Sequence, residues 1–103
     1  MAGIATVVKL TAADGKVDEL LDAAAKLVAA TEGEPGTLQY AVHTNAADPS
    51  AVWFYERYAD QAALDAHAGS TAMAEAMGAF GGLLGARPEM HMLSIAQAKG
   101  AAG

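Results

Sequence analysis

Residues 52–67 read VWFYERYADQAALDAH, a dense aromatic segment that runs directly into a segment ending in histidine. Alternate side chains of a strand point to opposite faces, so the first half of this segment divides its side chains between two surfaces. Phe54, Glu56 and Tyr58 share one face, and Trp53 and Tyr55 share the other. A strand with aromatic residues on both faces is normally covered on both faces. We therefore expect protein to pack against each side of this strand.

The second half of the segment is predicted to be a short helix over residues 60–68. Asp60 is a good N-cap residue, and Leu64 and His67 lie three positions apart, on one face of a helix. The chain thus combines an aromatic strand, a short connection and an imidazole on the next element. This combination suggests a pocket between the strand and the helix.

The composition indicates a single domain. The chain has 103 residues and a formal net charge of −6. Hydrophobic residues make up 53% of it, which excludes a disordered chain. Its six lysines and arginines are scattered, so we expect no nucleic acid and no membrane as partner. The lack of cysteine excludes disulfides, thiolate chemistry and cysteine-ligated metals. With neither a leader peptide nor an apolar run of about 20 residues, cytoplasmic localisation is the expectation.

The predicted order of elements is strand, helix, strand, strand, broken helix, strand. Strands are expected over residues 4–10, 38–45, 52–58 and 90–95. Helices are expected over 17–31 with Asp14 as its N-cap, over 60–68, and, after a break and new cap at Gly69 and Ser70, along the stripe of Met73, Met77, Phe80 and Leu84. Residues 1–95 form one domain in this interpretation, followed by a disordered tail over 96–103.

This order favours an α+β, ferredoxin-like split βαβ fold. A right-handed crossover between the first two strands leaves room for the third between them, giving a four-stranded antiparallel sheet in the order 4-1-3-2. Both helical regions then cover one face, and the face with Trp53 and Tyr55 is left bare. A second copy packed sheet to sheet covers it, as a homodimer. A monomer that tolerates the bare face is the alternative.

Three short segments resemble the antibiotic biosynthesis monooxygenase family: EPGTLQY at 34–40, FYERY at 54–58 and ALDAHAGS at 63–70. The resemblance covers residues 4–95. It implies a dimeric α+β barrel with one pocket per subunit between the sheet and the helices. Family members of known activity oxidise polycyclic phenols, anthrones or quinols with O₂, without metal or flavin, and related proteins degrade haem.

The chain also departs from the family pattern. Anthrone-oxidising members use Asn and Trp on the third strand and Arg on the last helix, whereas the matching strand positions here are Phe54 and Tyr58 and the last helix has no arginine. Haem-degrading relatives need Asn on the first strand and His on the last helix, and both are missing. The second histidine of quinol-oxidising members is replaced by Ala72. His67 is therefore the polar family signature retained on the helical side.

The chemistry implied by the resemblance needs a base, a dry cavity and a group that holds an anion. Ground-state O₂ reacts directly with electron-rich species such as a deprotonated phenol. A histidine side chain titrates near neutral pH, which makes His67 the candidate base. Tyr58 can bond a substrate oxygen, and Glu56 can orient His67 or accept a proton. The structural alternatives are a His67 that pairs with Glu56 or a backbone carbonyl, a Tyr58 that only packs, and a Glu56 held by a structural hydrogen bond.

The expected pocket walls are apolar and suit a small aromatic ligand, although such residues are also common in plain cores. The candidates are Phe54, Leu64, Met73, Met77 and Phe80. No cofactor is expected besides O₂ as co-substrate. No metal site is expected either, since two of the three histidines, His43 and His91, fall on opposite edge strands, roughly 14 Å apart.

Three functions remain open from the sequence. The first is a small cofactor-independent monooxygenase that acts on a phenolic, anthrone or quinol-like aromatic. The second is a non-catalytic dimer that binds a small hydrophobic molecule, suggested by the missing Asn, Trp, Arg and second His. The third is an isomerase or cyclase in which His67 transfers a proton without oxygen.

Overall fold

The computed structural model describes residues 3–100, which form four strands and three helices. The strands are β1 (Ile4–Thr11), β2 (Thr37–Thr44), β3 (Ala51–Tyr58) and β4 (Glu89–Ser94). The helices are α1 (Val17–Thr31), α2 (Gln61–Ala68) and α3 (Thr71–Phe80). Within the described part of the predicted tail, residues 96–100 contain no helix or strand, and residues 101–103 lie outside the described residues.

The four strands form one antiparallel sheet in the order β2-β3-β1-β4. This order confirms the predicted ferredoxin-like α+β fold. β3 lies between β2 and β1 because the crossover through α1 leaves that space open. The aromatic strand is therefore central, with Phe54 paired to Val8 on one side and to Val42 on the other.

The helices cover one face of the sheet and enclose the core. Val52 and Phe54 of β3, Leu20 and Leu27 of α1, and Phe80 of α3 are at most 4% exposed. Phe54 and Phe80 meet edge to face with ring centroids 6.3 Å apart, a favoured aromatic geometry. The ring of His67 in α2 lies 5.5 Å from the ring of Tyr58, so α2 covers the end of β3 that carries Tyr58.

The short helices begin where the sequence predicts. The Asp60 side chain accepts a hydrogen bond from the Ala63 N–H at 2.9 Å, and Ser70 accepts one from the Met73 N–H at 3.1 Å. The predicted cap of α1 is wrong. That helix begins at Val17 with Lys16 at the N-cap position, so Asp14 lies too far ahead to reach the free N–H groups of the first turn.

Two further details differ from the predicted pattern. A bulge between Thr37 and Gln39 interrupts the regular alternation expected of the strand over 38–45, and Leu38 is 46% exposed. The helical stripe ends at Phe80, and Leu84 instead pairs with Ala12 in an isolated β-bridge. Among residues 3–100, the helices are all too short or too polar to cross a membrane.

Candidate active site

A cavity of about 510 Å³ lies between the sheet and the helices. All four strands and all three helices contribute to its wall, which is mostly apolar. The wall includes each of the five predicted apolar residues: Phe54, Leu64, Met73, Met77 and Phe80. Their contact with a substrate stays a prediction, but the fold brings them together around one space.

His67 lines this cavity and is 2% exposed. Its Nδ1 lies 2.8 Å from Oε1 of Glu34, in the connection between α1 and β2. The Thr37 hydroxyl donates to the same carboxylate oxygen at 2.8 Å. Because a carboxylate only accepts hydrogen bonds, Nδ1 carries the proton in this contact. Glu34 therefore fixes both the orientation and the tautomer of the ring.

The close approach of α2 to the start of β2 makes this pairing possible. A Cβ atom added to Gly36 would lie 2.5 Å from the Cβ of Ala63, which is far below a normal contact. The Gly36 carbonyl also accepts a hydrogen bond from the Ala59 N–H at 3.0 Å, just before α2. Glycine at position 36 thus lets the turn holding Glu34 reach the helix holding His67.

The second ring nitrogen of His67 has a different environment from the first. Nε2 is buried and has no hydrogen-bond partner among the described residues. With the proton on Nδ1, Nε2 of the neutral ring holds a lone pair. A buried acceptor without a partner is costly, and such groups concentrate at functional sites. This arrangement leaves Nε2 able to accept a hydrogen bond or a proton.

Glu56 is held by structural hydrogen bonds, which is one of the two alternatives that the sequence left open for it. It is 7% exposed and lines the cavity, but its Oε1 accepts hydrogen bonds from the Thr6 hydroxyl at 2.7 Å and the Tyr58 hydroxyl at 2.5 Å. The suggested pairing of Glu56 with His67 is therefore wrong, because Glu34 occupies Nδ1. Two neutral donors compensate the burial of this carboxylate.

Tyr58 is fully buried, donates its hydroxyl to Glu56 and is not among the residues that line the cavity. Its ring packs 5.5 Å from the ring of His67. Burial, followed by the hydrogen bond to Glu56, raises the pKa of its hydroxyl far above the ordinary value. The expected contact between Tyr58 and a substrate oxygen does not fit this position, which is one of support for Glu56.

Tyr40 of β2 takes the position that was expected for Tyr58. It lines the cavity, and its ring centroid lies 5.0 Å from that of His67 and 5.8 Å from that of Phe54. Burial, then the charge of Glu56, raises the pKa of Tyr40 well above its usual range, so the hydroxyl keeps its proton and can donate. The alternation of side chains along β2 places Tyr40 on the covered face, so the sequence could have identified it as a cavity residue. No pattern in the sequence indicated that Glu34 would contact His67.

The other face of the sheet, here called the open face, carries the residues that were predicted to form a dimer interface. Trp53 and Tyr55 are half-buried there, and the Lys9 ammonium lies 5.5 Å from the Trp53 ring centroid. His43 and His91 are on the opposite edge strands β2 and β4. Within residues 3–100, no three His, Asp or Glu side chains come close enough to hold a metal ion.

A sequence model described as antibiotic biosynthesis monooxygenase matches residues 3–79 of this chain. The chain belongs to the antibiotic biosynthesis monooxygenase family. The match includes β1, β2, β3 and α2, and thus Glu34, Tyr40, Glu56 and His67. A comparison with curated proteins found no match to this chain.

Solved structures are similar over nearly the whole chain. A protein from Caulobacter crescentus CB15, provisionally named an antibiotic biosynthesis monooxygenase, is 25% identical with a TM-score of 0.88, covering 93% of this chain and 92% of its own. A protein of unknown function from Nitrosomonas europaea is 27% identical with a TM-score of 0.85, covering 100% and 98%. The Rv0793 protein of Mycobacterium tuberculosis, at 21% identity and a TM-score of 0.89, covers 95% and 99% and shares the fold.

Proposed function

We propose that this chain is a cofactor-independent monooxygenase that oxidises a phenolic, anthrone or quinol-like aromatic with O₂, with His67 as the base. The observation that supports this most is the pairing of His67 Nδ1 with Glu34 beside a large apolar cavity, while Nε2 has no partner among the described residues. A base of fixed tautomer in a dry site is what proton abstraction from an apolar substrate requires.

The first step moves one proton. Nε2 of His67 takes it from the substrate hydroxyl or, in an anthrone, from the acidic ring carbon. The Glu34 carboxylate stabilises the imidazolium that forms, because it already accepts the Nδ1 proton at 2.8 Å. Tyr40 lines the same cavity, and in this proposal its hydroxyl donates to the developing oxyanion.

The second step adds oxygen to the anion. The anion gives one electron to O₂, and the resulting radical pair forms a carbon–oxygen bond. The peroxide takes the proton back from His67 and then loses water, which leaves a carbonyl on the ring. One oxygen atom stays in the product and the other leaves as water, so the substrate itself supplies both electrons and no external reductant is needed.

We further propose that the protein works as a homodimer, with two sheets packed through their open faces. Trp53 and Tyr55 of this face are half-buried, and Leu93 is 48% exposed. Arg57, on the same face, has two guanidinium nitrogens that are buried without a partner among the described residues. A second sheet would cover the apolar side chains and bring acceptors to Arg57.

Oxygen uptake tests the function. Wild-type protein is expected to consume O₂ with anthrone or 1,4-dihydroxynaphthalene faster than the spontaneous reaction. The His67→Ala variant should lose at least about a hundred-fold in rate, the usual scale for removing a general base. His43→Ala, which removes a histidine from the exposed edge strand, is the matched control and should keep the wild-type rate. Equal rates for the two variants would exclude His67 as the base.

The second candidate function is non-catalytic binding of a hydrophobic molecule. It is favoured by the apolar wall and by the family residues that this chain lacks. Thermal stabilisation by an aromatic ligand, without O₂ uptake above background for any substrate, would support this function over the first. Proton exchange at a ring carbon in the absence of O₂, abolished by His67→Ala, would instead support the isomerase alternative.

A further inference from the structure

We infer that the cavity selects uncharged hydroxylated aromatics and rejects analogues that carry a carboxylate. This inference deepens the proposed function and concerns which substrates the His67 site accepts. It rests on the charges that surround the cavity and on the separation of its polar end from its apolar end.

Cationic side chains are absent from the cavity wall formed by the described residues. All six lysines and arginines lie within residues 3–100, and none lines the cavity. Lys9 and Arg57 are on the open face, on the far side of the sheet. The remaining four are at the N-cap of α1, on α1, in the connection before β4 and in the tail: Lys16, Lys26, Arg87 and Lys99. A ligand carboxylate would therefore find no lysine or arginine partner inside.

Acidic side chains, by contrast, lie in the cavity wall or directly beside it. Glu56 and Asp65 line the cavity, and Glu34 lies directly behind the ring of His67. Glu56 is buried and faces the space from the sheet. A substrate carboxylate would have to lose its water shell next to like charges, which is unfavourable when no cation compensates it.

The polar groups are at one end of the cavity. Thr6 and Glu56 are paired across β1 and β3, and Glu56 is paired with Tyr40 across β3 and β2. Leu10, four residues further along β1, marks the apolar end, about 13 Å away along the strand. A bound aromatic thus places its hydroxyl near Tyr40 and His67 and its rings toward Leu10.

His67 explains why a neutral hydroxyl suits this end. The substrate can enter without charge and become an anion only when its proton passes to Nε2. At that moment an imidazolium forms beside it and balances the new negative charge. A permanently ionised carboxylate brings its charge without delivering a proton, so the cation that would pair with it does not form.

Binding measurements without turnover test the inference. The probes are 2-naphthol, 6-hydroxy-2-naphthoate, the methyl ester of that acid, and 6-aminomethyl-2-naphthol, titrated into the protein by calorimetry at pH 7 under nitrogen. We expect 2-naphthol and the ester to bind at least about ten-fold more tightly than the carboxylate. The ester controls for size. Equal or tighter binding of the carboxylate would overturn the inference, and so would tightest binding by the ammonium compound, which would indicate a cation site.

A charge variant identifies the cause. Glu56→Gln removes the buried carboxylate of the wall. It should reduce the gap, meaning the ratio of the affinities for 2-naphthol and for 6-hydroxy-2-naphthoate, several-fold. Asp22→Asn, an equal charge change on the exposed side of α1, should leave the gap unchanged. If Glu56→Gln fails to fold, Asp65→Asn at the exposed part of the wall takes its place. Equal narrowing by Asp22→Asn would show that net charge, and not the cavity, causes the selection, which contradicts the inference.

The inference and the proposed function can fail separately. Selective binding of 2-naphthol without any O₂ uptake would leave the inference standing and refute the oxygenase. O₂ uptake that is equally fast with 1,4-dihydroxynaphthalene and with its 2-carboxylate would support the oxygenase and refute the inference.

Discussion

At the scale of single residues, the site depends on how two carboxylates are used. Glu34 accepts the Nδ1 proton of His67, and Glu56 accepts the hydroxyl protons of Thr6 and Tyr58. Glu34 thus contacts His67, the proposed base, whereas Glu56 is bonded to neighbouring side chains of the sheet. This division predicts different consequences for the same substitution at the two positions.

Glu34→Gln is expected to lower the rate of O₂ uptake at least about ten-fold, because an amide stabilises the imidazolium less than a carboxylate does. Glu75→Gln, on the exposed side of α3, is the control and should have no effect. Nitrogen-15 NMR of the His67 ring gives a second measurement. Wild type should show the proton on Nδ1 and Glu34→Gln a mixture of tautomers, since a Gln amide can donate as well as accept. An unchanged tautomer together with an unchanged rate would remove Glu34 from the mechanism.

The tyrosines predict a response to alkaline pH. Burial and neighbouring carboxylates raise the pKa of Tyr40 and Tyr58 above the ordinary value of 10.0. Above pH 10 the unfolded chain loses these two protons, whereas the folded chain still holds them. The free energy of unfolding is therefore unaffected by these two groups below pH 10 and falls as the pH rises above it. Absorbance at 295 nm should show both groups ionising together with unfolding followed by circular dichroism. Ionisation of all three tyrosines while the chain stays folded would contradict this.

The contribution of the sequence differs between these residues. His67 was identified from a short motif, and Tyr40 was within reach because it follows the alternation of β2. Glu34 could not be identified from the sequence, because its contact with His67 joins residues 33 positions apart and depends on how closely α2 approaches β2. That approach depends on one glycine whose role is visible only when the two elements are packed.

At the scale of elements, Gly36 determines how closely α2 packs against the start of β2. We expect Gly36→Ala to lower the free energy of unfolding by about 1–3 kcal/mol, because the new Cβ would collide with Ala63 at 2.5 Å. The displaced helix should also weaken the contact between His67 and Glu34 and slow O₂ uptake. Gly78→Ala is the control: it lies inside α3 with nothing within 4 Å of the added Cβ, and should stabilise by roughly 0.5–1 kcal/mol. Urea unfolding at one fixed protein concentration measures the free energy of unfolding of both variants. A Gly36→Ala variant as stable as wild type would contradict the close contact between Gly36 and Ala63.

The order of the elements could be predicted because few alternatives satisfy both the alternation of the strands and the handedness of the crossover. Local geometry was harder. The bulge at Leu38 and the start of α1 after Asp14 depend on single hydrogen bonds in turns, which the hydrophobic pattern does not record. The two capped helices α2 and α3 were predictable because Asp60 and Ser70 are strong N-cap residues.

At the scale of the whole molecule, the open face decides the state of assembly. It combines half-buried Trp53 and Tyr55 with exposed Leu93 and with Arg57 nitrogens that have no partner within residues 3–100. The opposite face is covered by the helices. A chain of 103 residues has a small core, and covering this face with a second copy adds apolar burial that the monomer lacks. We therefore expect a mass of twice 10.4 kDa by light scattering at micromolar concentration.

Trp53→Glu should convert this dimer into a monomer, because two glutamates would be buried near each other across the two-fold axis without compensation. Ala25→Glu is the matched control: it introduces the same charge on the exposed side of α1, away from the cavity, and should leave the mass unchanged. If the cavity needs the second sheet for its rigidity, the Trp53→Glu monomer should also bind 2-naphthol more weakly than wild type. A wild-type mass of one subunit would refute the dimer, and equal masses for wild type and Trp53→Glu would place the interface elsewhere.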